Sequence, residues 1–99
     1  MKYLNELVED IDEEIEGARN YAEKYVACKA KGNLTRAAKF KEMANDELKH
    51  ATYLHEIAIT DIEELEKVFK PTAEMQEVWD KSHKSYVDRV AWVRMMLNM

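Results

Sequence analysis

The sequence predicts an all-α fold, an antiparallel helical hairpin followed by a C-terminal helix. Three observations carry that prediction. The 99 residues include only two Gly and one Pro and are 35% charged and 46% hydrophobic, a composition of helix formers with few turn formers. Apolar residues recur at three- and four-residue spacing along most of the chain. Only three places interrupt that spacing: Gly32-Asn33, Thr60-Asp61-Ile62-Glu63 and Pro71.

Gly32 suits a left-handed C-cap and Asn33 a helix N-cap, so the first helix is expected from about Lys2 to Lys31 and the second from Asn33 or Leu34. A link this short permits only an antiparallel hairpin. Thr60-x-x-Glu63 has the form of a capping box, and the acids after it suit a helix start. Against a break, Ala58, Ile62, Leu65 and Phe69 keep the apolar stripe in phase, and the pattern leaves both readings open. Pro71 ends the second long segment, and Pro71 or Thr72 opens a last helix to about Leu97. The organisation is one domain, 1–99, with a hairpin over 2–59 and a C-terminal helical segment over 60–99.

The formal net charge is −5, with no basic stripe of the kind that phosphate binding needs, which argues against a nucleic-acid partner. Residues 1–17 and 61–66 are strongly acidic, and the hairpin end that gathers them is expected to be a solvated face. The lack of a long apolar run argues against a membrane span, and the residues from Met1 to Glu6 lack the apolar core of a signal peptide. The single cysteine, Cys28, rules out an intrachain disulfide. A cytoplasmic setting fits best. A chain of this length buries only about 60–65% of its unfolded surface, so a metal or a partner subunit would contribute much to its stability.

Plotting residues at about 100° per position shows which charged groups face the core. In the first helix Leu4, Leu7, Val8, Ile11, Ile15, Ala18, Ala22, Tyr25 and Val26 share one arc, and of the acids only Glu14 points toward it. In the second helix Phe40, Met43, Ala44, Ala51, Leu54 and Ala58 form an arc with Glu47 near its centre and His50 beside it. An unpaired carboxylate on an apolar face is costly. A metal ion, a shared proton or a salt bridge would each offset that cost. Glu14 precedes Gly32 by 18 residues and His50 follows it by 18, so hairpin geometry puts Glu14, Glu47 and His50 within about one helical turn of the same height. Two carboxylates and an imidazole suit Fe, Mn or Zn. The competing structural reading is a satisfied Glu47–His50 pair near Tyr21 or Tyr53.

The stretch from Glu42 to Ala51, Glu-Met-Ala-Asn-Asp-Glu-Leu-Lys-His-Ala, resembles the Glu-x-x-His-Ala segment of rubrerythrins, bacterioferritins and other ferritin-like di-iron carboxylate proteins. Ala18-Arg19-Asn20-Tyr21 is similar to the first helix of rubrerythrin-like chains, and Glu14 lies 33 residues before Glu47, the usual separation in that superfamily. The resemblance covers about residues 10–58, half of a four-helix bundle. It implies Glu14 and His50 as terminal ligands, Glu47 as a bridging ligand, and Tyr21 as a catalytic tyrosine beside a di-iron centre with ferroxidase-type chemistry. Mn or Zn are alternative occupants.

The second half does not repeat the ligand set. In the last helix Met75, Trp79, Ser82, Tyr86, Val90, Val93 and Leu97 define the main face, with Val78, Trp92 and Met96 on a flank, and Asp80-x-x-His83 imitates the motif from the wrong side. His55 lies off the stripe of its helix and reads as a surface or boundary residue. One chain offers three ligands where a di-metal site needs about six. The simplest completion is a homodimer, or higher homo-oligomer, in which two hairpins form a ferritin-like four-helix bundle, a logic that resembles that of encapsulated ferritins. The alternative function is a non-catalytic interaction or assembly module with a structural or vestigial metal site.

Overall fold

The computed structural model describes the backbone from Lys2 to Met99 and the side chains from Leu4 onward. The described residues form three helices and no strand: α1 (Lys2–Ala30), α2 (Leu34–Glu66) and α3 (Ala73–Leu97). The hairpin turn is made as its residues dictate. Gly32 has φ +78°, and the amides of Gly32 and Asn33 donate to the carbonyls of Lys29 (3.0 Å) and Cys28 (2.9 Å), the paired bonds of a Schellman cap. Asn33 Oδ1 then accepts from the Arg36 amide at 3.1 Å, capping α2. Thr72 does the same for α3, its Oγ1 accepting from the Met75 amide at 3.1 Å.

α2 runs unbroken through Thr60 to Glu66, so the phase of the apolar stripe prevails over the capping-box pattern and the hairpin extends seven residues beyond Ile59. Thr60 is exposed while Ala58 is buried and Ile62 half-buried, so the residues that keep the helix in register with its neighbour lie on both sides of the Thr. Continuity makes the molecule long and narrow, 55 × 18 × 17 Å.

Helices α1 and α2 meet along a seam of small residues. Ala18, Ala22, Ala44 and Ala51 are all fully buried, which lets the two backbones approach closely and lets ridges of larger side chains interlock on either side. The expected stripe of α1 is the one buried: Leu4, Leu7, Ile11, Ile15, Ala18, Ala22 and Tyr25. The buried face of α2 differs from expectation. It comprises Ala37, Ala44, Leu48, Ala51 and Ala58, a rotation of roughly 45° at 100° per residue. Met43 is left 40% exposed, and Phe40, Glu47 and Leu54 are half-buried. The physical cause is that the Ala seam, not the larger residues, sets the contact with α1, so the wider side chains of α2 fall to one flank.

Helix α3 covers a different side of the hairpin. Val93, Met96 and Leu97 join the cluster around Ala18, Ala22, Tyr25 and Leu48, and Trp79, Tyr86 and Val90 pack on the cluster of Leu4, Leu7, Ile11 and Ile15. Met96, expected on a flank with Val78 and Trp92, is buried, whereas those two are exposed. The last turn of α3 wedges into the core, which draws Met96 inward. Arg89 ties α3 to α1, with Nη1 2.7 Å from Asp12 Oδ1 and Nη2 3.5 Å from Glu16 Oε2. Part of the acidic face of α1 is thus an ion-pair partner for α3.

Candidate metal centre

Glu14 on α1 and Glu47 and His50 on α2 converge across the hairpin, each offering a ligand atom within 4.8 Å of the others. These are the three residues that the sequence singles out, at the height at which hairpin counting places them. His50 Nδ1 lies 3.4 Å from Glu14 Oε2. That oxygen is buried and has no hydrogen-bond partner among the described residues, because the imidazole nitrogen is near it without being aimed along a hydrogen bond. A buried, unpartnered carboxylate oxygen facing an imidazole and a second carboxyl is a place for a cation.

Electrostatics point the same way. The carboxyl of Glu47 is pushed up from 4.5 to about 7, first by hydrogen bonding to Glu14, then by loss of hydration, then by repulsion from the Glu14 charge, with His50 opposing. Two carboxyls this close are not both ionised without cost, and Glu47 bears it by holding its proton up to about neutral pH. A divalent ion can replace that proton and satisfy the orphaned oxygen at once.

Gly17 completes the site, although the helical pattern alone gives it no role. A Cβ at this position would lie 3.2 Å from Glu47 Oε2 and 3.5 Å from its Cδ. A glycine inside a helix costs about 1 kcal/mol relative to alanine, and here it leaves a notch in α1 into which the Glu47 carboxylate fits. The available signal was a mid-helix Gly one turn beyond the inward-facing Glu14.

The site lies at the border between the seam and the open flank. Glu14 and Glu47 are half-buried and His50 is exposed. Phe40, Met43, Glu47, His50, Leu54 and Ile57 follow one another at alternating three- and four-residue spacing, with Met43 40% and Ile57 45% exposed. Glu47 and His50 are therefore embedded in a partly uncovered apolar stripe. Tyr21 is on this side of α1, seven residues or about 10 Å of helix beyond Glu14. It is half-buried, its ring stacks on Phe40 with centroids 6.3 Å apart, and Lys24 Nζ lies 5.7 Å from both rings.

The imitation motif in α3 is not part of the cluster. Asp80 Oδ1 accepts from Gln76 Nε2 at 3.0 Å, while His83 faces His55 of α2 at 3.1 Å. No helix among the described residues is long and apolar enough to cross a membrane. Comparison with family models, curated proteins and solved structures yields no match.

Proposed function

We propose that the chain is a ferritin-like metal-binding protein of the cytosol, in which two hairpins form a four-helix bundle around a di-iron centre that oxidises Fe(II) with O2 or peroxide. The observation that carries this reading is the convergence of Glu14, Glu47 and His50 within 4.8 Å. The orphaned oxygen of Glu14 and the notch at Gly17 support it. The donors are two carboxylates and one imidazole, a set that suits iron and also admits Mn or Zn.

In this reading Glu14 and His50 are terminal ligands and Glu47 bridges. Glu47 gives up its proton on metal uptake, and its carboxylate, resting in the open notch beside Gly17, is free to change its mode of contact. Carboxylate oxygens favour the trivalent state, being hard and anionic. Two bound Fe(II) ions would supply the electrons that reduce O2 or peroxide, ending as Fe(III). Tyr21 would stand beside the site as a hydrogen-bond or electron donor. Three ligands per chain fall short of a di-metal set, and the stripe from Phe40 to Ile57 leaves the ligand pair on an uncovered flank. A second copy of the hairpin, docked there about a two-fold axis, would supply the missing donors and cover the stripe.

Anaerobic Fe(II) titration followed by air tests this reading. Growth of near-ultraviolet Fe(III) absorbance, saturating at about two irons per dimer, is the expected result. Binding without turnover would instead make the protein an assembly module with a structural metal. Unchanged metal stoichiometry in the Glu47→Ala and His50→Ala variants would remove the centre altogether, and a strictly monomeric metal-loaded species in light scattering would remove the dimer.

A further inference from the structure

Away from the carboxylate flank, between α2 and α3, two histidines that the sequence alone does not connect come together. His55 Nε2 of α2 lies 3.1 Å from His83 Nδ1 of α3. We propose that His55 and His83 form a second metal site, a two-nitrogen clamp between α2 and α3 for a divalent cation of the Zn, Ni or Cu class.

The separation fits such an ion. Two nitrogens 3.1 Å apart, each about 2.0–2.1 Å from one metal, subtend an angle of about 100° at it, between the square-planar and tetrahedral values. The ring of His55 is held in place beforehand. Tyr86 lies flat against it, with centroids 4.0 Å apart and planes 3° from parallel. The Tyr86 hydroxyl is 3.5 Å from Thr52 Oγ1. Because Thr52 already donates to the Leu48 carbonyl at 3.0 Å, Tyr86 is the donor in that pair. His83 is exposed and His55 half-buried, so a metal enters from solvent and water fills its remaining positions. His83 turns to aim its lone pair at the same ion.

Protonation agrees. Burial and the nearby His83 hold His55 below its usual 6.5, which keeps the ring neutral and able to coordinate near pH 7. In the metal-free pair one ring donates its N–H to the other. Metal binding requires that this ring carry its proton on the far nitrogen instead. The site differs from the carboxylate centre in chemistry. Asp12, on the wall of the same 420 Å³ groove, is engaged by Arg89 at 2.7 Å, and Glu56 raises the negative potential at His55 from the neighbouring position. Imidazole donors without a bound carboxylate prefer borderline transition metals to hard cations. Occupancy would fasten the C-terminal helix to the hairpin.

Equilibrium dialysis of the full chain against Zn2+ and Cu2+ tests the clamp, with the exposed His83→Ala as the first variant and His55→Gln as the second. Each is expected to bind one ion fewer per chain than the unmodified protein, with the iron stoichiometry of the carboxylate centre unchanged. Substoichiometric Cu2+ should broaden the imidazole proton resonances of His55 and His83 together. Equal Zn2+ and Cu2+ stoichiometry in the unmodified chain and His83→Ala would overturn the proposal, as would broadening confined to His50. Because the readout is a difference made by His83, it stands or falls separately from the carboxylate centre.

Discussion

Glu47→Gln in metal-free protein isolates the electrostatic cost of the carboxylate centre. In the folded chain Glu47 titrates at about 7 rather than 4.5, so the native state holds a proton that the unfolded state has released. A carboxyl raised in this way contributes stability that is fully present below pH 4.5 and is lost as pH rises through about 7. The shift sets a ceiling of about 3 kcal/mol. Water reaches this half-buried group and screens the repulsion, so the expected loss between pH 4.5 and 8 is about 1–2 kcal/mol. Gln keeps a hydrogen-bonding amide toward Glu14 and cannot ionise, which removes the loss. Urea unfolding of the chelator-treated protein and the variant, at pH steps from 4.5 to 8, measures the difference. His55 acts in the opposite sense, since its depressed value means stability lost as pH falls, but it is common to both proteins and cancels. The variant should be the more stable at pH 8, by about 1–2 kcal/mol, with the two curves converging near pH 4.5. Added Fe(II) should stabilise only the unmodified chain. Parallel stability curves over the whole range would refute the account of Glu14 and Glu47.

Gly17→Ala should stabilise the metal-free protein by about 0.5–1 kcal/mol through helix propensity while lowering metal affinity, because the new methyl displaces the Glu47 carboxylate from its notch. Repeated in a Glu47→Ala background, the same change should give a larger gain, a non-additivity read from a double-mutant cycle by thermal unfolding and metal titration. Gly32→Ala, forced to φ +78°, should cost about 1–2 kcal/mol in chemical denaturation. Arg89→Gln, which frees Asp12 and Glu16, should cost about 0.5–1 kcal/mol at low ionic strength and less in high salt.

Helix number, the hairpin turn and the convergence of Glu14, Glu47 and His50 were legible in the sequence because each follows from a one-dimensional rule. Gly32-Asn33 carries its own cap chemistry, and counting 18 residues either way from Gly32 fixes heights along two antiparallel rods whatever their packing. The rotation of α2 was not legible, because the seam depends on which small residues oppose each other across two helices. Ala44 is buried in one cluster with Ala18 and Ala22, and Ala51 in another with Ile11 and Ile15, and an alanine carries almost no weight in a hydrophobic pattern although it decides how closely backbones meet. Gly17 was hidden for a related reason: its role depends on a side chain 30 residues away in sequence. The His55–His83 contact was equally out of reach, since it depends on how α3 crosses α2, and no spacing within either helix encodes that.

The unfavourable features of the hairpin collect in one place. A glycine inside α1, a Glu47 carboxyl that holds its proton up to about 7, an oxygen without a hydrogen-bond partner and a partly uncovered stripe with Met43 and Ile57 exposed all occur around Glu47. Each alone is an ordinary imperfection, worth about a kcal/mol or two. Their coincidence calls for a common cause, because alanine at 17 or glutamine at 47 would remove two of them without disturbing the Ala seam. A cation between the carboxylates accounts for the notch, the repulsion and the orphaned oxygen. It leaves the stripe unexplained, since an ion bound by Glu14, Glu47 and His50 covers none of Met43 or Ile57. A second hairpin over the stripe accounts for that remainder, and it brings further donors to a centre that has only three. The proposed metal and the proposed partner therefore rest on separate observations that meet at the same residues, and removing either proposal leaves part of the arrangement without a physical reason.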